Sequence, residues 1–359
     1  MKIGRKFFRS IWREGHSLFI IDQTELPVNF VTRKVRSSQE VAHCIINMNV
    51  RGAPLIGVTA AYGMAMAMSE DSTRKNIRKT YQMLNDTRPT AINLKFSLDR
   101  MRGILESTPE ENRSDRAWSE ADKIAEEDVE QNKLIGENGV ILIEEIYKTK
   151  KKVNILTHCN AGWLATVDYG TALSPIFQAH DKGINIHVWV DETRPRNQGL
   201  LTAWELASHG IKYSLIVDNA GGHLMQNQQV DMVIVGADRV SAAGDVCNKI
   251  GTYLKALSAR DNKIPFFAAV PTPTIDWKIT NGLKDIPIEE RDVNEVLMNT
   301  ALSRQNKYTL HGLGYPKVSN PGFDVTPAHL VSGLITEKKI VQPVSITSMK
   351  ELKKLLGKN

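Results

Sequence analysis

The architecture of this 359-residue chain is set by the segment Val153-Asn154-Ile155-Leu156-Thr157-His158-Cys159-Asn160-Ala161-Gly162. Its first half is a short, largely apolar run. In its second half, mostly small or polar residues surround the thiol of Cys159. A similar arrangement, with a carboxylate instead of the thiol, returns in Val233-Ile234-Val235-Gly236-Ala237-Asp238-Arg239. Each apolar run has the length and composition of a buried strand. A helical pattern follows each segment.

Around these two segments, short β-rich runs alternate with helical patterns. The predicted strands are residues 153–157, 184–190, 213–217, 232–236 and 265–270. Such alternation is typical of an α/β fold in which helices cover a parallel sheet. Parallel sheets bind ligands beyond the carboxyl ends of their strands. We therefore expect Cys159 and Asp238 to lie at one functional edge.

The first part of the chain has strand patterns at its start and mostly helical patterns after them. Predicted strands cover residues 17–21 and 28–35. Predicted helices run from a capping box at Ser37 through Met48, then over residues 54–68, 92–106 and 110–146, the last as one or two helices. The change of pattern near residues 145–152 predicts two domains, an N-terminal α+β domain over 1–147 and a catalytic domain over 148–359.

The charge balance gives little reason to expect a nucleic-acid partner. The chain has 46 basic and 40 acidic residues, a formal charge of +6. Its densest basic run, residues 148–152, has no interleaved aromatic residues, so we interpret it as a solvated turn rather than a binding patch. No segment approaches the roughly 20 apolar residues of a membrane span. We expect neither a nucleic acid nor a membrane as partner.

The three cysteines favour a reducing compartment. Their odd number and the lack of CxxC spacing argue against a disulfide framework and a structural zinc site. The N-terminus has no sustained apolar segment typical of a secretory signal, and we predict a cytoplasmic protein. Cys44 and Cys247 are interpreted as packing residues. The nine histidines show no metal-ligand grouping such as HExxH, so no metal site is predicted.

Cys159 and Asp238 are the candidate titratable groups. A helix N-terminus just after Cys159 would lower the pKa of its thiol, although a lone cysteine is also commonly buried and inert. Asp238 ends a nearly fully apolar strand, where desolvation raises a carboxyl pKa toward the range of a general acid. The alternative for Asp238 is an ion pair or a helix cap. His158 should point away from the neighbouring thiol and is interpreted as structural.

Three segments have the character of anion sites. Arg51-Gly52-Ala53-Pro54 places a cation and small residues ahead of a helix, where free N–H groups favour phosphate. Arg88-Pro89-Thr90 offers a second guanidinium before another helix. Gly244-Asp245-Val246-Cys247-Asn248-Lys249 is expected to open a third helix, with Asn248 and Lys249 in its first turn. Ordinary turns also use such residues, but without Walker or GxGxxG patterns the set fits a small phosphorylated metabolite better than a nucleotide.

A polar cluster follows the second predicted strand of the sheet. It consists of Asp191-Glu192-Thr193-Arg194-Pro195, with Gln198 just beyond. Charge pairing within a loop explains it without function. The functional alternative is that Gln198 holds a substrate hydroxyl while the charged residues fix the loop.

Together, motifs in order along nearly the whole chain resemble the methylthioribose-1-phosphate isomerase family. They are Val50-Arg51-Gly52-Ala53-Pro54-Leu55-Ile56-Gly57, Arg88-Pro89-Thr90-Ala91-Ile92-Asn93-Leu94, Thr157-His158-Cys159-Asn160-Ala161-Gly162, Asp191-Glu192-Thr193-Arg194-Pro195 with Gln198-Gly199, Gly236-Ala237-Asp238-Arg239, Gly244-Asp245 with Asn248-Lys249-Ile250-Gly251-Thr252, Ile286-Pro287-Ile288-Glu289-Glu290-Arg291, and Asn320-Pro321 with Phe323-Asp324-Val325-Thr326-Pro327. So many ordered motifs make the resemblance specific.

The resemblance implies an aldose–ketose isomerase of the methionine salvage pathway, which converts 5-methylthioribose 1-phosphate to 5-methylthioribulose 1-phosphate. It implies a metal-free, cofactor-free homodimer in which a Rossmann-like C-terminal domain follows a smaller, mostly helical N-terminal domain with a small sheet. Asp238 would donate a proton to the ring oxygen, and Cys159 would assist proton movement between C2 and C1, with a hydride shift as the other route. The implied substrate-binding residues are Arg51, Gly52, Ala53, Arg88, Gln198, Asn248 and Lys249.

Two positions depart from the family pattern. Trp163 stands where a smaller residue is more usual, and His223 follows an unusual Asn219-Ala220-Gly221-Gly222 run. Both could reshape the part of the site that holds the 5-substituent. The isomerases of 5-deoxyribose 1-phosphate and ribose 1,5-bisphosphate therefore remain alternatives. So does a non-catalytic regulatory subunit of a translation-initiation exchange factor, although such subunits generally lack the Cys159 and Asp238 pair.

Overall fold

A computed structural model describes residues 1–3, 6–297 and 317–357. The helices are α1 (Ser38–Ile46), α2 (Ala53–Glu70), α3 (Arg74–Asn85), α4 (Ile92–Ser107), α5 (Arg113–Lys150), α6 (Leu173–Asp181), α7 (Gly199–His209), α8 (Ala220–Gln226), α9 (Thr252–Asp261), α10 (Gly282–Asp285), α11 (Val293–Leu297) and α12 (Ile346–Leu355). Over the described ranges, none of these helices is both long and apolar enough to cross a membrane.

The strands form one large sheet and three small ones. They are β1 (Lys2–Ile3), β2 (Lys6–Phe7), β3 (Ile11–Glu14), β4 (Ser17–Ile21), β5 (Thr32–Val35), β6 (Val153–Thr157), β7 (Ile186–Asp191), β8 (Tyr213–Ile216), β9 (Met232–Val235), β10 (Arg239–Ser241), β11 (Val246–Lys249), β12 (Phe266–Ala269), β13 (Ile275–Asp276), β14 (Phe323–Thr326), β15 (Gly333–Ile335) and β16 (Ile340–Val341).

The large sheet confirms the predicted α/β architecture. Its strand order is β16-β15-β12-β9-β6-β7-β8, and every pairing is parallel except that of β16 with β15. Alternate residues of each central strand enter separate apolar cores on the two faces; Ile155 joins one and Leu156 the other. Because β6 and β9 are hydrogen-bonded neighbours, the residues that follow them, Cys159 and Asp238, share one edge.

A second sheet, β13-β10-β11-β14, begins directly after Asp238. The predicted helix after this residue is therefore wrong. The third predicted anion-site helix is wrong as well, because Asn248 and Lys249 lie in β11 and α9 begins only at Thr252. The physical reason is long-range pairing: β11 is antiparallel to both β10 and β14. Gly244, with a φ of +94°, makes the tight turn that brings β10 and β11 together.

The N-terminal part consists of the sheet β3-β4-β5 and helices α1 to α5. The central helix, α2, is buried along most of its length. Several boundaries differ from prediction; α5, for example, runs over Arg113–Lys150 rather than 110–146. The strand expected over 28–35 begins only at Thr32, because residues 23–28 form a turn that the Asn29 N–H closes on the Glu25 carbonyl at 2.9 Å. Helix α1 ends at Ile46 rather than Met48, whose φ is +61°. The predicted domain boundary at 147/148 remains a prediction.

Candidate active site

One cleft is lined by every residue that the sequence predicts to be catalytic or to bind substrate. It lies where the ends of β6 and β9 meet the N-terminus of α2, and it spans about 980 Å³ of space outside protein atoms, part of which is open to solvent. Its lining includes Arg51, Gly52, Ala53, Arg88, Cys159, Gln198, Asp238, Asn248 and Lys249. Residues from five distant parts of the chain therefore converge, and Cys159 and Asp238 meet as the strand-end argument predicts.

Cys159 is partly buried in the cleft and has a left-handed backbone, with a φ of +70°. The helix expected after it is absent: a loop and a single 3₁₀ turn, Trp163–Ala165, follow instead. Burial raises the pKa of the Cys159 thiol to about 11, while Lys249 acts in the opposite direction. The prediction of a lowered thiol pKa is thus wrong, since desolvation outweighs the nearby cation. In the free protein the group is a neutral thiol at pH 7.

Asp238 has the raised pKa that its position predicts. Burial is the main cause, and the charges of Lys249 and Arg88 oppose it. Lys249 thus acts on both candidate catalytic groups. Its ammonium lies 4.8 Å from the ring centre of Phe323, the residue that β14 pairs with it. Among the described residues it has no carboxylate within salt-bridge distance, so its charge is available to a ligand.

The N-terminus of α2 forms an anion site beside the thiol. Gly52 is the N-cap and provides no side-chain hydrogen bond, so the first N–H groups of α2 face the cleft without a protein cap. Arg51 donates through Nη2 to the carbonyl of Gln23 at 3.2 Å, whereas its buried Nε has no partner among the described residues. Burial, with a smaller contribution from Arg196, lowers the pKa of Arg51 to about 10. It remains a cation at neutral pH.

Arg88 and Gln198 also present unpaired polar atoms. The Nε of Arg88 and the Oε1 of Gln198 are buried without a partner among the described residues. Arg88 Nη2 lies 3.5 Å from Glu289, and the Nε of the same guanidinium can still donate to a ligand. A buried polar group without a partner is costly. A hydroxylated, phosphorylated ligand would supply the missing partners to both.

Sequence patterns missed several cleft residues. Asn160, Arg196 and Arg291 also line it. Arg196 and Arg291 are both paired with Glu295, at 2.9 Å and 2.8 Å. Arg291 lies in one of the motifs that carry the family resemblance, which is the signal that could have identified it. Arg196 follows a motif with no local sign of function.

Two predicted specificity residues lie elsewhere. Trp163 is 1% exposed and packs near Trp204, with ring centres 6.0 Å apart, and it does not line the cleft. His223 is exposed on α8 and contacts Asn227. The expectation that these two residues shape the ligand pocket is wrong. Trp163 instead belongs to one of the buried apolar cores of the large sheet.

His158 borders the cleft, but its side chain is fully buried and hydrogen bonded, in keeping with a structural role. Its Nδ1 lies 2.8 Å from Asp191, its Nε2 lies 2.8 Å from the carbonyl of Ile250, and Asp218 is 4.0 Å away. Although His158, Asp191 and Asp218 are close enough to hold a metal ion, the ammonium of Lys255 lies 3.1 Å from Asp191. Lys255 thus supplies a positive charge to this cluster.

The fold and cleft define an α/β protein with a thiol, a carboxylate and several cations at adjacent strand ends. The chain belongs to the Initiation factor 2 subunit family, which matches residues 49–343. Methylthioribose-1-phosphate isomerase of Brucella anthropi is 54% identical to it over 352 residues, or 96% of each chain.

Two solved structures with 40% identity also match. The 5-methylthioribose 1-phosphate isomerase from Pyrococcus horikoshii OT3 has a TM-score of 0.83, over 98% of this chain and 97% of that one. A structure described as translation initiation factor eIF-2B, subunit delta, from A. fulgidus has a TM-score of 0.80, over 96% of this chain and 100% of that one.

Proposed function

We propose that this protein isomerises 5-methylthioribose 1-phosphate to 5-methylthioribulose 1-phosphate, a step of methionine salvage. The observation that carries the proposal is the convergence, in one cleft, of Cys159 and Asp238 with Lys249 and with two guanidinium groups whose Nε atoms have no partner among the described residues. The 54% identity to an isomerase of that name supports the choice of substrate. The raised pKa of Asp238 supports its role as a proton donor.

In this proposal, phosphate binding comes first. The free N–H groups of α2, Arg51 and Arg88 hold the dianion on C1, while Asn248 and Lys249 complete the pocket and Gln198 binds a sugar hydroxyl. Several charge-assisted hydrogen bonds fix the sugar relative to the acid and the thiol. The phosphate on C1 prevents spontaneous ring opening. The enzyme must therefore open the ring itself, and this anchoring holds the sugar in place for that step.

Ring opening and proton transfer then follow. Asp238 donates its proton to the ring oxygen as the bond between that oxygen and C1 breaks, and Cys159 takes the proton from C2. The resulting C1=C2 enol regains a proton at C1 from Cys159, and the proton of the C2 hydroxyl returns to Asp238. Cys159 accepts the proton from C2 as a thiolate, so its own proton must first pass to solvent, and the positive charge of Lys249 favours the thiolate. In the alternative route, hydrogen passes from C2 to C1 as a hydride.

The test is incubation with 5-methylthioribose 1-phosphate and detection of the ketose. Deuterium at C2 separates the two routes, since loss to solvent indicates proton transfer and full retention at C1 indicates a hydride shift. Parallel assays with 5-deoxyribose 1-phosphate and ribose 1,5-bisphosphate compare the 5-substituents by kcat/KM. Absence of turnover with all three sugars would overturn the assignment as an isomerase.

A regulatory role is the second candidate, favoured by the likeness to the structure described as an eIF-2B subunit. A subunit of that kind needs no thiol and acid in a shared cleft. The discriminating measurement is therefore the same assay, with Cys159→Ala as the matched inactive variant. Failure of both wild type and variant to form product above background would favour the regulatory candidate.

We also propose that the protein is a cytoplasmic homodimer. The supporting feature is β8 at the edge of the large sheet, where Leu215 and Val217 are 43% and 60% exposed. Unpaired sheet edges with apolar side chains favour association. Light scattering coupled to size-exclusion chromatography gives the mass. A monomer at micromolar concentration would contradict the dimer.

A further inference from the structure

The backbone of Cys159 is in a conformation that its surroundings must maintain. Its φ of +70° places a non-glycine residue in the left-handed region. Such a conformation persists where neighbouring groups over-determine it, and it recurs at functional sites. Here both peptide groups that flank the Cys159 side chain are hydrogen bonded to threonine hydroxyls.

Thr193 holds the amino side of Cys159. The N–H of Cys159 donates to Thr193 Oγ1 at 2.8 Å, and that hydroxyl donates in turn to the carbonyl of Asp191 at 3.0 Å. Thr193 is fully buried, and its own N–H donates to Asp218 at 2.7 Å. The hydroxyl therefore uses a lone pair and its proton, which fixes its orientation.

Thr202 holds the carbonyl side. Its Oγ1 donates to the carbonyl of Cys159 at 2.8 Å and accepts from the side-chain amide of Asn160 at 3.1 Å. Glu205, one turn later on α7, accepts from the same amide at 2.8 Å. Thr202 is also fully buried. Thus α7 fixes Cys159 and Asn160 in the loop after β6.

We propose that Thr193 and Thr202 are positioning residues that aim the Cys159 thiol into the cleft, an inference that rests on the proposed function. Neither threonine lines the cleft, so neither is placed to touch the substrate. Their hydroxyls clamp the peptide groups on both sides of the rotatable bonds that direct the thiol. Loss of either clamp lets Cys159 relax toward an extended backbone and moves its sulfur relative to Lys249 and Asp238.

The kinetic test uses Thr193→Val and Thr202→Val, which keep the side-chain size but remove the hydroxyl. Misplacement of a reacting group by about 1 Å can cost on the order of 100-fold in rate, so kcat should fall about 10- to 100-fold. Since substrate contacts are intact, KM should change by less than about threefold. Serine at either position retains the hydroxyl and should restore most of kcat.

Thr59→Val is the matched control. Thr59 is 1% exposed on α2, its hydroxyl donates to the carbonyl of Leu55 at 2.7 Å, and it does not line the cleft. Its loss should change the melting temperature without changing kcat. An equal fall of kcat in this control and in the two test variants would assign the effect to general loosening and overturn the proposal.

A readout without substrate separates this inference from the proposed function. Iodoacetamide alkylation of Cys159, followed by mass spectrometry of its peptide at fixed pH, should differ at least threefold between each valine variant and wild type, a change of about 0.7 kcal/mol, and serine should reverse it. Unchanged alkylation in folded valine variants would refute the positioning role, whatever the isomerase assay gives. Should a valine variant fail to fold, alanine at that position provides the same comparison.

Discussion

Gly52 at the start of α2 packs directly against the backbone of Ala165 in the loop after Cys159. A Cβ on Gly52 would overlap the Ala165 carbonyl, and the φ of Gly52 is +96°. This contact joins the anion-binding helix to the loop that carries the thiol. It leaves no room for a side chain, so the spacing of the two halves of the cleft depends on it.

Gly52→Ala should therefore weaken substrate binding. The methyl group either displaces the loop or rotates the first turn of α2, and the left-handed backbone adds about 1–2 kcal/mol of strain. We expect a KM increase of at least about tenfold, corresponding to about 1.4 kcal/mol, together with a lower melting temperature. Steady-state kinetics and thermal unfolding measure both.

The matched control is Gly183→Ala. Gly183 also has a positive φ, +77°, but an added Cβ meets nothing within 4 Å. The Gly183→Ala variant should show only the effect of backbone strain on stability, and its KM should be unchanged. If Gly52→Ala behaves like this control, the contact with Ala165 has no role in binding.

Cys159→Ser and Asp238→Asn should each lower kcat by about 10² to 10⁴, the usual contribution of a positioned acid or base. Both substitutions conserve size, so far-ultraviolet circular dichroism and the melting temperature should remain close to wild type. Cys44→Ala is the control for thiol loss, because Cys44 is buried in the N-terminal core. Wild-type turnover in either active-site variant would remove that residue from the mechanism.

Lys249→Met should raise the pKa of both catalytic groups. Lys249 lowers the pKa of Cys159 and of Asp238, so removal of its charge favours the neutral thiol and the neutral carboxyl. At any pH below the thiol pKa, less thiolate is then present and alkylation of Cys159 slows. The pH dependence of alkylation should shift upward, and KM should rise with the loss of a phosphate ligand.

Lys249→Arg keeps the positive charge and should leave the alkylation profile near that of wild type. A profile that moves upward in the arginine variant as far as in the methionine variant would mean that shape, rather than charge, sets the thiol pKa.

Glu205 should make stability fall as pH rises. Burial raises its pKa from 4.5 to about 8 in the folded state. Between these two values the folded protein keeps a proton that the unfolded chain has released. The free energy of unfolding therefore decreases with pH over this window and levels off above it. Urea unfolding at several pH values from 5 to 9 measures the slope.

Glu205→Gln cannot ionise and should show a shallower slope over the same window. Its stability at pH 5 should be lower than wild type, since an amide cannot accept all the hydrogen bonds from Asn160, Trp163 and Leu164. Asp128, whose pKa burial raises to about 7, is present in both proteins and cancels in the comparison. Parallel slopes would exclude Glu205 as the cause.

Local sequence patterns were sufficient to predict one part of this structure. The apolar run at residues 153–157 predicted a strand with the correct bounds. The alternation of strand and helix patterns after it predicted a parallel sheet. The rule that ligands lie beyond strand ends then placed Cys159 and Asp238 together. Residues around Arg51 and Arg88 were identifiable because glycine, proline and cations before a helix have a direct physical meaning.

Features that depend on distant partners were evident only in the folded chain. Lys249 is in a strand because β10 and β14 pair with β11 from both sides. Cys159 has a raised pKa because packing around the cleft removes water from the thiol, which no local pattern reveals. Its two threonine partners lie 34 and 43 residues away. Burial and hydrogen-bond partners are properties of the folded chain as a whole, so local sequence could indicate the site but not its electrostatics.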